Sequence, residues 1–208
     1  MKERTVKMAF TYFFRDMQTL ELIIKYVIPE VKGNRHIRIW DAGCAHGPEP
    51  YSIAIMLRES MSHFMFRNVK IYATDIDVSS RFDKIIAEGV YPEGEVKRIP
   101  SDIREKYFSE NSRPGYFQIS DEIKSRLTFT QHDLLSLKPV ATDMNLIVCK
   151  NVLLHFKPAE RAEVIKMYHD VLVPGGFFVM EQTQKMPIEV QALFQQVVGN
   201  AQLFRKVG

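Results

Sequence analysis

Five short apolar runs recur along the chain, separated by amphipathic stretches: Ile37-Arg38-Ile39-Trp40, Val69-Lys70-Ile71-Tyr72-Ala73, Leu127-Thr128-Phe129-Thr130, Asn145-Leu146-Ile147-Val148-Cys149 and Phe177-Phe178-Val179-Met180. Their lengths and β-branched content suit buried parallel strands. Apolar residues three and four apart predict helices over residues 20–27, 51–57, 78–87 and 160–172. Pro50 suits the first turn of the second helix, and Pro174-Gly175-Gly176 is expected to end the last one and turn the chain into Phe177. Strand and helix in regular alternation dictate an α/β fold, a mostly parallel sheet covered by helices.

Two segments depart from this rhythm. Residues 193–198 and 201–206 flank Gly199-Asn200 and read as a hairpin with a two-residue turn, an antiparallel edge to the sheet. The stretch 91–125 is rich in charge and turn residues, with a short helix expected at 102–108 and a turn at Pro114-Gly115. Within it, Tyr116-Phe117-Gln118-Ile119 reads either as a strand of a small satellite sheet, whose edge a peptide could join, or as a solvated loop. The whole of 1–208 reads as a single domain, with a small β-subdomain inserted at about 91–126.

Composition narrows the function. With 28 Lys plus Arg against 25 Asp plus Glu, the formal charge of +3 is too small to imply a phosphate-tracking surface. No apolar run approaches the roughly 18 residues of a membrane span, and the charged start Met1-Lys2-Glu3-Arg4 leads into no signal-type segment, so a cytoplasmic location is expected. Cys44 and Cys149 sit in apolar surroundings without metal-ligand spacing and read as buried free thiols.

Ligands of an open parallel sheet bind beyond the carboxyl ends of its strands. The first strand there runs into Asp41-Ala42-Gly43-Cys44-Ala45-His46-Gly47-Pro48-Glu49-Pro50-Tyr51-Ser52, the second into Thr74-Asp75-Ile76-Asp77, the third into His132-Asp133-Leu134 and the fourth into Lys150-Asn151. Gly43 and Gly47 are spaced G-x-x-x-G, unlike the G-x-G-x-x-G of a dinucleotide site, and Glu49 at the helix start would repel a pyrophosphate. The same carboxylate would attract an ammonium or sulfonium group, as in S-adenosylmethionine. Asp75 is placed for ribose hydroxyls and Asp133 for an adenine amino group. Singly, such acids also cap helices; together, at successive strand ends, they outline a site.

The chain resembles the CheR-type chemotaxis receptor glutamate methyltransferases. The likeness rests on Thr11-Tyr12-Phe13-Phe14-Arg15-Asp16, on Trp40-Asp41-Ala42-Gly43-Cys44 leading to Gly47-Pro48-Glu49-Pro50-Tyr51-Ser52, on Ala73-Thr74-Asp75-Ile76-Asp77, and on Cys149-Lys150-Asn151-Val152-Leu153-Leu154-His155-Phe156. It implies a class I, Rossmann-like methyltransferase fold with a seven-stranded sheet, S-adenosylmethionine as donor, S-adenosylhomocysteine as product, and a protein glutamate as acceptor. By position it implies Thr11 and Arg15 beside the donor near the acceptor, Ala42 and Gly43 in the donor loop, Glu49 on the amino group, Asp75 on the ribose, Asp133 and Leu134 on the adenine, and Lys150 and Asn151 by the methyl group. The partner implied is the cytoplasmic part of a chemotaxis receptor or a related signalling protein, with the enzyme a monomer that binds no nucleic acid and meets the membrane only through the receptor.

Several positions depart from the family pattern: Ala9 for a polar donor contact, Pro48 for the first acid of G-E-E-P-Y-S, Lys150 for an arginine and His155 for a tyrosine. Ten residues precede Thr11, so the N-terminal helical domain that helps grip the receptor is expected to be missing. Arg15, with Lys150 as a weaker substitute, is expected to orient the acceptor carboxylate, and His155 to line its pocket. A carboxylate acceptor is ionised at pH 7 and needs no base. Two alternatives stay open: a small-molecule O- or N-methyltransferase with His155 as base, and a non-catalytic module that binds the donor.

Overall fold

The computed structural model describes residues 11–208, so Ala9 lies outside the described residues. The strands in chain order are β1 (Ile37–Ala42), β2 (Val69–Asp75), β3 (Val90–Pro92), β4 (Phe108–Glu110), β5 (Tyr116–Ile119), β6 (Leu127–Gln131), β7 (Met144–Cys149), β8 (Leu172–Met180), β9 (Phe194–Gln196) and β10 (Leu203–Lys206). Seven of them form one sheet in the order β6-β2-β1-β7-β8-β10-β9. The pairs from β6 to β8 are parallel, and β10 runs antiparallel to both β8 and β9.

The period of two along each strand divides the core. Ile37, Ile39, Ile71 and Val148 point to one face, where they pack with Ile53 and Leu57 of the helix Pro48–Ser60. Trp40, Ala42, Ile147 and Phe178 point to the other, against Val164, Ile165 and Tyr168 of the helix Pro158–Val171. β1 and β7 are covered on both sides, which is why their sequences read as nearly continuous apolar runs. No helix among the described residues is long and apolar enough to cross a membrane.

Four boundaries differ from expectation. The first helix is longer: Met17–Leu22 continues through a π-helical stretch, Ile23–Val27, into Ile28–Val31, begun by Asp16 as an N-cap that accepts from Thr19 N. The helix expected from residue 78 begins only at Phe82, because Asp77 and Ser80 take positive φ. Asp77 instead organises the loop by accepting from Ser79 Oγ and Phe82 N. Pro174-Gly175-Gly176 does not separate helix from strand; the helix ends at Val171, and these residues lie inside β8 across a register shift against β7. The C-terminal hairpin forms, but Gln196 pairs with Phe204, so its connection is longer than the expected two-residue turn.

The satellite sheet is present, with strand order β3-β5-β4. Tyr116–Ile119 is its central strand, paired on both sides, and therefore offers no edge to a peptide. The expectation fails because Val90–Pro92 and Phe108–Glu110 are too short to signal themselves in sequence. Phe13 binds this sheet to the rest of the molecule, its ring edge-on to Tyr91 at 4.9 Å and to Phe108 at 5.4 Å. Such pairs add about 0.5–1.5 kcal/mol each beyond the area buried.

Candidate active site

A cavity of ≈ 980 Å³ opens at the carboxyl ends of β1, β2, β6 and β7. That is near the upper end of small-molecule sites, which run to about 1,000 Å³. From the segment before the first helix come Thr11, Arg15 and Asp16; from the β1 loop and its helix, Gly43 and Glu49; from β2, Asp75. The β6 end contributes Asp133 and Leu134, and the β7 end Lys150, Asn151 and His155. Of the residues expected at the site, Ala42 alone does not line this cavity. It is fully buried in the core with Trp40 and Ile147, because on a strand it points to the face opposite Asp41.

The β1 loop is tight. Gly43 and Gly47 hold φ of 103° and 108°, and Ala45 is also left-handed. A Cβ on Gly47 would come within 2.6 Å of Tyr91 Oη, and one on Gly43 within 2.1 Å of Val152 Cγ2. Asp75 holds the loop from the neighbouring strand: its Oδ2 accepts from Ala45 N at 2.9 Å and its Oδ1 from Asp77 N at 3.1 Å. Each oxygen keeps acceptor capacity for a second donor. Asp133 caps the turn that follows it, accepting from Leu135 N. Ser52 links the N-terminal segment to the loop helix, accepting from Phe14 N and donating to Pro48 O.

Lys150 is buried in the cavity wall, and its Nζ lies 2.8 Å from Asp16 Oδ2 and 3.4 Å from Glu49 Oε1, so its charge is met by two carboxylates. Burial pulls the Asp16 pKa up, but Lys150 and Thr19 outweigh it and leave a net lowering. For Glu49 burial wins over Lys150, and its pKa is raised. Arg15 is exposed on the cavity wall, its guanidinium 6.0 Å from the Tyr12 ring centroid, and His155 is exposed at the end of a 3-10 turn, Leu153–His155. Asn151 sits in the left-handed region at φ 59°, which Asn tolerates better than most residues.

Three features of the site escaped the sequence reading. Asp16 is the partner of Lys150, and the signal available was the Asp-x-x-Thr cap at 16–19. Asp41 lies fully buried beneath the loop with neither carboxylate oxygen hydrogen bonded, and burial together with Glu49 and Asp75 pushes its pKa well up despite Lys150. His46, in the middle of the loop, reaches Glu95 with Nε2 at 2.9 Å, while its carbonyl accepts from Tyr91 Oη; the satellite sheet thereby grips the loop. Cys44 and Cys149 are buried, and burial raises both thiol pKa values, which makes them packing groups.

The cavity's donor chemistry suits a zwitterionic sulfonium nucleoside: carboxylates from the first turn of the loop helix, from the end of β2 and from just past β6, on glycine-bearing and capped backbone, at the site where open α/β sheets bind ligands. Comparison with solved structures agrees on the fold. An rRNA methyltransferase, aviRa of Streptomyces viridochromogenes, superposes with a TM-score of 0.57 at 11% identity, over 95% of this chain and 86% of that one. The N-methyltransferase NodS of Bradyrhizobium japonicum, solved with S-adenosylhomocysteine, gives 0.52 at 12% identity, over 92% and 87%.

Sequence relatives are more specific. A chemotaxis protein methyltransferase of Vibrio cholerae is 32% identical over 181 residues, and one of Borreliella burgdorferi is 31% identical over 182. These alignments cover 85% and 84% of this chain but only 62% and 63% of the relatives' own lengths. A probable chemotaxis protein methyltransferase of Rhizobium etli is 28% identical, covering 90% of this chain and 72% of the relative. The family described as CheR methyltransferase, SAM binding domain, matches residues 9–203, and the chain belongs to it.

Proposed function

We propose that this chain transfers the methyl group of S-adenosylmethionine to glutamate carboxylates on the cytoplasmic part of a chemotaxis receptor or related signalling protein. The observation that carries the proposal is one cavity shared by Glu49, Asp75 and Asp133 at the strand ends and by the exposed guanidinium of Arg15. Glu49 would hold the donor's ammonium, Asp75 its ribose, and Asp133 with Leu134 its adenine. When bound, the donor supplies a methyl group on a positive sulfur, and its transfer to a carboxylate ends in a neutral ester and a neutral thioether. A cavity that excludes water favours that loss of charge.

Arg15 orients the acceptor carboxylate, for which a planar fork is better suited than a point charge. Lys150 braces Glu49 and Asp16, a supporting part that replaces the acceptor contact expected of it. The Ser52 bridge keeps Arg15 in register with the Glu49 helix, and His155 lines the rim. Positioning supplies most of the catalysis, because the acceptor carries its charge before it arrives.

Incubation with a methyl-labelled donor and receptor cytoplasmic fragments should deposit label that mild base releases, as from an ester. His155→Phe should retain that activity. Loss of transfer on His155→Phe, with label on a hydroxyl or amine, would point to the small-molecule reading; donor binding without transfer to any fragment would point to a non-catalytic module.

A further inference from the structure

The amino ends of the strands, remote from the donor cavity, carry a second concave site. Arg35 and His36 precede β1, Arg67 and Asn68 precede β2, and Arg126 precedes β6. Parallel pairing of Ile37 with Val69 and of Ile71 with Leu127 draws these strand starts together. With Lys70 they line a pocket of ≈ 380 Å³ that no carboxylate lines. None of the ion pairs found among the described residues involves Arg35, Arg67, Lys70 or Arg126.

The pocket is also partly braced. Arg126 is held by Nη1 donating to Arg67 O at 2.7 Å and by Nε and Nη2 donating to Ser125 Oγ, while Lys70 lies 4.7 Å from the Tyr72 ring centroid. Three guanidiniums and an ammonium that line one pocket repel one another, and an anion among them would relieve that repulsion. A chain with a net charge of only +3 has concentrated more than that surplus at one sheet end.

We infer that this pocket binds a small polyphosphate, free or as the phosphate tail of a nucleotide. Guanidinium groups match phosphate oxygens in pairs, and Thr128 and Asn68 add neutral hydrogen-bonding groups at the rim. Four cations exceed the charge of one orthophosphate, and the volume lies within the small-ligand range of about 300–1,000 Å³. A long nucleic acid would call for a basic stripe and a large basic surplus, and the cations here are gathered in one bounded pocket.

The test is calorimetric titration of the full chain with inorganic tripolyphosphate, in the presence of saturating S-adenosylhomocysteine to keep the donor cavity closed to the probe. The expected result is saturable binding near one per chain, at least tenfold tighter than orthophosphate, and weakened at least tenfold in the double variant R35A/R67A. ATP in the same titration distinguishes the sources: tighter binding than tripolyphosphate identifies a nucleotide, equal or weaker binding a free polyphosphate. R35A/R67A should keep its melting temperature and its affinity for S-adenosylhomocysteine, since neither side chain touches that cavity. Absence of saturable binding at millimolar tripolyphosphate, binding unaffected in R35A/R67A, or tighter binding of a single-stranded RNA than of either small ligand would overturn the inference.

Discussion

Replacing Lys150 with methionine keeps the side chain's bulk but removes the cation that Asp16 and Glu49 share at 2.8 and 3.4 Å. Breaking a buried ion pair from one side costs about 3–5 kcal/mol, because the abandoned charge stays desolvated. Here the Lys150 side chain is 6% exposed, but Asp16 and Glu49 are 27% and 22% exposed, so water recovers part of the loss and the lower figure, about 3 kcal/mol, is expected. For a chain of this size each kcal/mol moves the melting temperature by about 2–4 °C, which puts Lys150→Met about 6–12 °C below the parent at pH 7.

The pH dependence gives this prediction its sign. Asp16 has a lowered pKa, so it contributes stability above its unfolded value near 3.8 and loses that contribution as the pH falls through its lower folded value. Glu49 has a raised pKa, so its ionisation costs stability as the pH rises from 4.5, and Lys150 limits that cost. Without Lys150 both carboxyls shift upward; the deficit is full near neutral pH and closes in acid, beginning above pH 4.5 as Glu49 takes up its proton and finishing below 3.8 as Asp16 does. Circular dichroism melting curves between pH 3.5 and 8 measure it. A shift under about 2 °C at pH 7, or a deficit that does not narrow in acid, would refute the claim that this ion-pair cluster braces the wall.

Further outcomes follow from other residues. Asp41→Asn should gain stability over the parent as the pH rises above 3.8, by up to about 1.4 kcal/mol per pH unit until the raised pKa of Asp41 is passed; chemical denaturation at several pH values reads it, and a pH-independent difference would count against a buried, unpaired carboxyl. Gly43→Ala must move Val152 or the loop, since the new Cβ falls 2.1 Å from Val152 Cγ2 at a φ of 103°; lower melting temperature together with weaker donor affinity is expected, and normal values in both would contradict the close approach. Tyr91→Phe removes the bond to His46 O, worth about 1 kcal/mol, and should lower both stability and donor affinity; an unchanged affinity would show that the satellite sheet does not steady the loop.

The alternation of apolar runs made the parallel sheet legible, and the acids at 49, 75 and 133 made the cavity legible, because strand ends in such a sheet converge whatever the intervening helices do. What stayed hidden depended on contacts remote in sequence. Lys150 reads as a wall cation until folding brings Asp16 to it across more than a hundred residues. Tyr116–Ile119 reads as an edge because its two partners are three-residue strands with no pattern of their own. Asp77 and Ser80 resemble a helix start, yet their left-handed backbone delays the helix to Phe82. Ala42 belongs to the donor motif by position but faces the core by the two-residue period of β1.

S-adenosylmethionine is proposed to occupy the cavity at the ends of β1, β2, β6 and β7 with Asp75 on its ribose. Calorimetric titration of the chain and of Asp75→Ala with S-adenosylhomocysteine tests it most directly. The parent should show one saturable site and, with charge-assisted hydrogen bonds worth about 1.5–3 kcal/mol, the variant's affinity should be weaker by about 10- to 150-fold. No binding to the parent, or equal affinity in the two proteins, would contradict it.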